Sequence, residues 1–301
     1  MATQKVLIIV GPTASGKSAL GVDLAKKYDG EVISADSRQV YKGLDLGTGK
    51  ITKREMRGVS HHLLDVASPK KKFSVADFTK KAQSAIADIS INKKLPIIVG
   101  GTGYYIDALI GRIAVPDVPP NAKLRAELEK KSTEQLYAML GNYDPARARM
   151  MATPSERNNK RRLIRALEIA DALGKNPKPS EQQIYDTLWI GINPPLRELE
   201  QKIQKRLIAR VKQGMIAEAT QLKKECLSYK RMEELGLEYR SLARFLQKKI
   251  TKQEMIEELT RDIRRYAKKQ VTYWRRNTDI VWSISSKDRG VSSSVRDWLK
   301  K

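Results

Sequence analysis

The chain is poor in the residues that build cross-linked or metal-clamped scaffolds. Its 301 residues include one cysteine, Cys226, and two adjacent histidines, His61 and His62. A single thiol excludes an intrachain disulfide framework, and with those histidines it offers no zinc-finger spacing. A reducing cytoplasm is therefore the expected compartment. Long apolar runs are also missing. The longest near the start, Val6 to Val10, falls far short of the ~18 residues of a membrane span and is too short for a signal-peptide core. No membrane association is expected. Acid is scarce as well: 34 Asp and Glu against 58 Lys and Arg leave a formal charge of +24. That excess predicts a polyanionic partner, nucleic acid first among them. With 41% hydrophobic and 31% charged residues, wholesale disorder is excluded, and the length admits one large or two modest domains.

What is present begins with alternation. Val6 to Val10 reads as a buried parallel strand, Ser18 to Tyr28 as a helix with Leu20, Leu24 and Ala25 on one face, and Glu31 to Ser34 as the next strand. Further strands are expected at Leu63 to Val66, Leu95 to Val99 and Leu188 to Ile192, with a helix over Phe78 to Ile89. Strands alternating with helices imply a parallel sheet covered on both faces. Between the last two strands lies a long helical segment bounded by prolines, Val115-Pro116-Asp117-Val118-Pro119-Pro120 before it and Asn176-Pro177-Lys178-Pro179 after it. The expected architecture is α/β: a P-loop NTPase-like parallel sheet core over 1–117 and 183–301, carrying an inserted helical subdomain at 118–182. Leu199, Ile203, Leu207 and Val211 predict a further helix that Gly214 ends. The tail from Ser283 reads as loosely held, with a short helix at Val295 to Leu299 as the alternative.

Gly11-Pro12-Thr13-Ala14-Ser15-Gly16-Lys17-Ser18 matches G-x-x-x-x-G-K-[ST] between a strand and a helix, the context that gives the motif its meaning. Its glycines let backbone amides curl around phosphate oxygens, the helix N-terminus adds partial positive charge, Lys17 adds a full one, and the Ser18 hydroxyl suits Mg2+. The motif alone does not decide whether the phosphate is transferred or departs as a leaving group. Asp36 follows the second strand, where ligands bind in open α/β sheets. A carboxylate there is a magnesium ligand, a general base or a cap of its own turn. Gly100-Gly101-Thr102-Gly103 follows another strand, and the Thr102 hydroxyl could donate to a phosphate oxygen. On these residues alone a small-molecule kinase and a nucleic-acid-binding NTPase remain alternatives.

The set of motifs resembles the tRNA dimethylallyltransferases, or isopentenylpyrophosphate transferases. The match runs from the phosphate loop through Ala35-Asp36-Ser37-Arg38-Gln39-Val40-Tyr41, Gly47-Thr48-Gly49-Lys50, His61-His62-Leu63-Leu64-Asp65 and Gly100-Gly101-Thr102-Gly103. It continues through Arg161-Arg162-Leu163-Ile164-Arg165-Ala166-Leu167-Glu168 to Ala267-Lys268-Lys269-Gln270-Val271-Thr272. The resemblance implies transfer of a dimethylallyl group from its diphosphate to N6 of the adenosine adjoining the tRNA anticodon. It implies that the phosphate loop holds prenyl diphosphate instead of ATP, and that Asp36 is the base on the adenine amine. It further implies that Thr102 contacts the diphosphate near the breaking bond and that Arg206 neutralises the departing diphosphate. Together with Lys17 these form the expected catalytic set, with Mg2+ as cofactor and a monomer as the working state.

The tRNA contacts expected on this basis are Asp36, Ser37, Arg38, Gln39 and Thr102 at the reacting base, and Arg125, Arg161, Arg162 and Arg165 in the insertion. Lys268, Lys269 and Gln270 are expected there too, near Arg264-Arg265 and Arg275-Arg276. Lys70-Lys71-Lys72 reads as solvated surface, His61 and His62 as structural, and Cys226 as an incidental thiol. The chain departs from the family pattern at Leu235-Gly236-Leu237-Glu238-Tyr239-Arg240, where a Gly-Tyr-basic element is usual, and at Tyr273-Trp274-Arg275. Tyr104, Tyr105 and Trp274 suit the core as well as stacking.

Overall fold

Val6, Ile8 and Val10 point to one side of their strand and pack with Phe78, Ile86 and Ile98, while Leu7 and Ile9 point to the other and pack with Leu20, Leu24 and Ile97. All five are fully buried. A strand with no solvent face needs no polar alternation, which is why the run reads as continuous. Residues 4–178, 184–285 and 288–301 are described in the computed structural model, and the following statements concern them. The strands are β1 (Lys5–Val10), β2 (Gly30–Ala35), β3 (His61–His62), β4 (Leu95–Gly100), β5 (Asp186–Ile192) and β6 (Ile280–Ser283). They form one sheet in the order β3-β2-β4-β1-β5-β6, parallel at every pairing. Leu7 stands opposite Ile97 on β4 and Leu188 on β5. Because β2 lies to one side of β1 and β5 to the other, the order switches direction at β1 and β4. Their C-terminal ends open the crevice in which such sheets bind ligands.

Helices α1 (Lys17–Lys27), α2 (Lys53–Met56), α3 (Val75–Ile91) and α4 (Gly103–Leu109) accompany the first four strands. Helix α3 starts at a capping box in which Ser74 and Asp77 satisfy each other's backbone amides. After β5 come α10 (Leu196–Lys212), α11 (Met215–Lys224), α12 (Tyr229–Leu235), α13 (Leu237–Leu246) and α14 (Lys252–Trp274), and α15 (Arg289–Lys300) follows β6. Leu199, Ile203 and Leu207 bury as their spacing requires, against Leu259 and Ile263 of α14. No helix among the described residues is long and apolar enough to cross a membrane.

The chain divides into two compact units, Met1–Ile110 with Gln183–Lys301, and Gly111–Gln182. The second therefore takes in 111–117, which the sequence reading left with the core. It contains α5 (Ala122–Leu128), α6 (Thr133–Tyr143), α7 (Pro145–Met150), α8 (Pro154–Arg157) and α9 (Lys160–Leu173). Its own core is built from Leu128, Leu136, Leu140, Leu163 and Leu167. Each fully buried leucine contributes about 1.5–3 kcal/mol. Pro179, expected to mark its end, lies outside the described residues.

Two expectations are corrected. Leu63 to Val66 is not a strand: the strand is His61–His62, after which Leu63 and Asp65 take left-handed backbone conformations with φ of +63° and +56°. That turn delivers Asp65 Oδ1 to Lys50 Nζ at 2.5 Å. The described tail is not loose. Val291 and Val295 of α15 enter the core beside α1, and Trp298 Nε1 donates to Asp186 at 2.9 Å. Edge strand β6 (Ile280–Ser283) has no counterpart among the expected strands; it is short, and Val281 and Trp282 stand exposed on it.

Candidate active site

The turn between β1 and α1 tolerates only glycine at its first residue. Gly11 has φ of +150°, and a Cβ there would stand 2.4 Å from the Ile192 carbonyl oxygen. Gly16, with φ of +97°, leads into α1, whose first-turn amides receive no side-chain cap. Uncapped amides on a helix of this length form an anion site. Lys17 donates to the Pro12 carbonyl at 3.2 Å. Burial pushes its pKa down to about 8, Asp36 opposing that shift and Arg206 adding to it. Ser18 lies exposed one residue further on. Thr13 N donates to Gln270 Oε1 at 2.8 Å, and Gln270 Nε2 donates to the Gly101 carbonyl at 3.1 Å. Gln270, expected on tRNA, is buried and uses both ends of its amide to join the phosphate loop to the loop after β4.

Asp36 follows β2 directly. Its Oδ1 accepts from Arg38 N at 2.8 Å and Gln39 N at 3.2 Å, so one oxygen caps its own turn. Thr102 is tied to the same loop: its amide donates to the Ala35 carbonyl at 3.2 Å, and its Oγ1 accepts from Ser37 N at 3.1 Å. The facing wall comes from α10, α13 and α14. Arg206 lines the cavity with a guanidinium lowered in pKa by the protein packed around it and then by Arg210. Asp36, Lys17, Ser18, Arg206, Glu238 and Tyr266 all border one cavity of about 270 Å³.

Glu238 comes from the segment that departs from the family pattern. Gly236 and Leu237, with φ of +74° and +37°, break α12 from α13 and turn Glu238 toward Arg210 at 3.3 Å. Burial raises the Glu238 carboxyl above its ordinary pKa, with the Arg210 charge opposing. Arg210 also donates to the Gly47 carbonyl at 2.8 Å. Glu218 receives the amides of Asp45, Leu46 and Gly47 at 2.6–3.0 Å and the Tyr239 hydroxyl at 2.7 Å. The Gly47-Thr48-Gly49-Lys50 loop is thus clamped on both sides. Gly49 takes φ of +61°, a conformation that residues with a Cβ rarely adopt, and faces the Arg206 guanidinium.

The remaining candidates separate by environment. His61 borders the cavity with its ring on the Val59 carbonyl at 2.9 Å, and burial lowers its pKa. His62 sits on Glu31 at 2.7 Å. Arg125 grips Glu168 with two bonds of 2.8 and 2.7 Å, Arg165 reaches the same carboxylate at 2.5 Å, and Arg162 pairs with Glu156. Of these four arginines Arg161 alone stands exposed with no ion pair among the described residues. Lys268 and Lys269 are exposed. Tyr105 stacks on Phe78 at 4.4 Å and Trp274 is buried against Trp189, so both are core, while Tyr104 is exposed. Tyr273 packs against Gly103, where a Cβ would stand 2.0 Å from its ring, and donates to Asp107 at 2.5 Å. Cys226 is exposed.

Tyr266 and Glu238 are cavity residues that the sequence reading missed. For Tyr266 a signal existed: Ile263, Tyr266 and Gln270 share one face of a long helix (i, i+3, i+7), and that face fronts the cavity. Chemically, the cavity sets an anion cradle and two cations beside a carboxylate whose second oxygen has no hydrogen bond among the described residues.

The model of the IPP transferase family matches residues 39–277. A tRNA dimethylallyltransferase of Anoxybacillus flavithermus is 40% identical over 302 residues, covering 98% of this chain and 95% of that protein. The crystal structure of the tRNA isopentenylpyrophosphate transferase from Bacillus halodurans aligns with a TM-score of 0.71 at 36% identity, over 99% of this chain and 96% of that one. A eukaryotic dimethylallyltransferase caught acting on tRNA aligns with a TM-score of 0.85 at 26% identity, over 99% of this chain and 80% of that one.

Proposed function

The chain belongs to the IPP transferase family, and we infer that it moves a dimethylallyl group from dimethylallyl diphosphate to N6 of the tRNA adenosine adjacent to the anticodon (position 37), releasing diphosphate. The observation that carries this reading is the placement of Asp36 on the same cavity as Lys17 and Arg206. Allylic displacement needs that combination. As the bond from the allylic carbon to the bridging oxygen breaks, its electron pair goes to the diphosphate. The uncapped α1 amides, Lys17 and Arg206 stabilise that charge where it develops. Thr102 donates near the breaking bond.

The adenine amine is a poor nucleophile because its lone pair is delocalised into the ring. As the carbon–nitrogen bond forms, Asp36 takes the amine proton on its unengaged oxygen, a contribution of typically ~10²–10⁴ in rate. The two amides on Oδ1 keep the carboxylate oriented throughout.

The donor set fits magnesium in a specific way. Among the described residues no cluster of three or more acidic, His or Cys side chains exists. Ser18 with diphosphate oxygens and waters matches the sparse protein ligation that Mg2+ accepts. Mg2+ bound there would add positive charge to the departing diphosphate.

The acceptor base must leave its stack to reach the cavity. Arg161, Lys268 and Lys269 are the exposed cations we assign to the RNA backbone, with Ser37, Arg38 and Gln39 beside the base. A lone exposed thiol suits a reducing, cytoplasmic compartment. The test is mass analysis of tRNA nucleosides after incubation with dimethylallyl diphosphate and Mg2+. A dimethylallyl addition on adenosine is expected; unmodified tRNA together with ATP hydrolysis would favour a kinase.

A further inference from the structure

Helix α14 carries a second row of side chains beside the one that fronts the cavity. Ile263, Tyr266 and Gln270 border the cavity, whereas Arg261, Arg264, Arg265 and Lys268, spaced i, i+3, i+4 and i+7, share the neighbouring face. With Glu200 and Gln204 of α10 they line an open groove of about 680 Å³. Arg261 and Lys268 are exposed and form no ion pair among the described residues. Arg265 stands 3.9 Å from Asp262, whose other oxygen already holds Arg240 at 2.9 Å. Arg264 is half-buried: its Nε is enclosed with no hydrogen-bond partner, and no bond or ion pair among the described residues occupies the rest of its guanidinium. The carboxylates of the groove, Glu200 and Glu257, pair with none of these cations, and Glu257 accepts from Gln253 at 2.7 Å. Arg261 with Arg265, and Arg264 with Lys268, are like-charged i, i+4 pairs, which weaken a helix. An anion lying across the row reverses that cost.

We propose that this groove binds the sugar-phosphate backbone of the RNA strand whose adenosine enters the cavity, with Arg264 as its central phosphate contact. This rests on the reading of the chain as a tRNA dimethylallyltransferase. A base turned out of its stack leaves its backbone at the cavity mouth, so the neighbouring phosphates run over the cavity walls. Helix α14 is one of those walls, and the groove lies on its adjoining face. From Arg261 to Lys268 the helix rises about 10 Å, a length that spans a few successive phosphates. Arg264 suits the central position because packing encloses its Nε while its outer N–H groups stay open, so a rigid fork is already in place for a phosphate.

The test is the salt dependence of binding to an unmodified tRNA transcript carrying adenosine next to the anticodon. It compares wild type, Arg264→Gln, Arg264→Lys and Lys26→Gln. Lys26 is exposed on α1, which packs on the sheet face opposite to the one that receives Trp274 of α14. Each phosphate contact contributes ~0.7–0.9 to the slope of log affinity against log salt. Arg264→Gln is expected to lower the slope by about that amount and to weaken tRNA binding roughly 10-fold at near-physiological salt. The donor KM, the single-turnover rate at saturating tRNA and the unfolding midpoint should stay near wild type. Arg264→Lys keeps the charge and should keep most of the slope, and Lys26→Gln should leave the slope unchanged. Equal slopes in Arg264→Gln and Lys26→Gln would overturn the groove assignment while leaving the transferase reading intact. A wild-type protein that neither binds nor modifies the transcript would overturn that reading, and the assignment with it.

Discussion

Gln270 accepts the Thr13 amide at 2.8 Å across 257 residues of sequence. That bond, with its partner from Gln270 to the Gly101 carbonyl, sets the spacing between the phosphate loop and the loop carrying Thr102. Gln270→Ala leaves the buried Gly101 carbonyl unpaired, at a cost of about 1–3 kcal/mol, and frees the half-buried Thr13 amide at the cavity wall. Lower thermal stability is expected, together with at least a several-fold rise in KM for dimethylallyl diphosphate. Calorimetry and donor titration check it, and an unchanged donor KM would remove Gln270 from the support of the phosphate loop.

The Lys17 shift predicts a pH dependence. With its pKa pushed down to about 8, the free enzyme loses the Lys17 charge as pH rises through that value. kcat/KM for the donor should therefore fall above about pH 8. Arg206 is one of the charges that lowers Lys17, so in Arg206→Ala the falling limb should move to higher pH even as the rate drops. A limb that stays in place would show that the two cations are not coupled.

How much of this was legible in the sequence depends on the range of the interaction. Gly11 to Ser18 could be read because the strand, turn and helix that define the motif are contiguous. The Leu199–Ile203–Leu207 stripe could be read because burial follows the helical period. In the sequence Gln270 stands out as a tRNA contact, not as a bridge between two loops. That bridge depends on Thr13 and Gly101, and no local pattern reports hydrogen bonds across 257 and 169 residues. Arg125 and Arg165 read as tRNA contacts for the same reason: their common partner, Glu168, looks like an ordinary acid until the fold buries it. Glu238 lay in a segment whose significance is set by the left-handed backbone of Gly236 and Leu237, which a one-dimensional reading does not reveal.

The insertion offers a contrast between structural and binding arginines. Glu168 is held at a pKa of about 2: its burial is outweighed by hydrogen bonds from Arg125, Arg165 and the Asn121 amide. A carboxyl depressed in the folded state stabilises it above the unfolded pKa, and that stability is lost as pH falls from about 4.5 toward about 2. Glu168→Ala should destabilise the 111–178 region by about 1–3 kcal/mol, since it removes the common partner of the Asn121 amide and of two half-exposed guanidiniums. Faster amide exchange there, with the sheet unaffected, is the expected signature. Arg161→Glu should leave exchange unchanged and raise the KM for tRNA several-fold at near-physiological salt. Unaltered tRNA binding would remove Arg161 from the interface.

The assignment of Asp36 as the base is tested most directly by the single-turnover rate of Asp36→Asn with dimethylallyl diphosphate and tRNA both bound at saturating Mg2+. Asparagine keeps the oxygen that receives the Arg38 and Gln39 amides, and therefore the turn, but it cannot take a proton at neutral pH. Binding of both substrates is expected to persist while the rate falls by ~10² or more. A wild-type rate under those conditions would contradict the account.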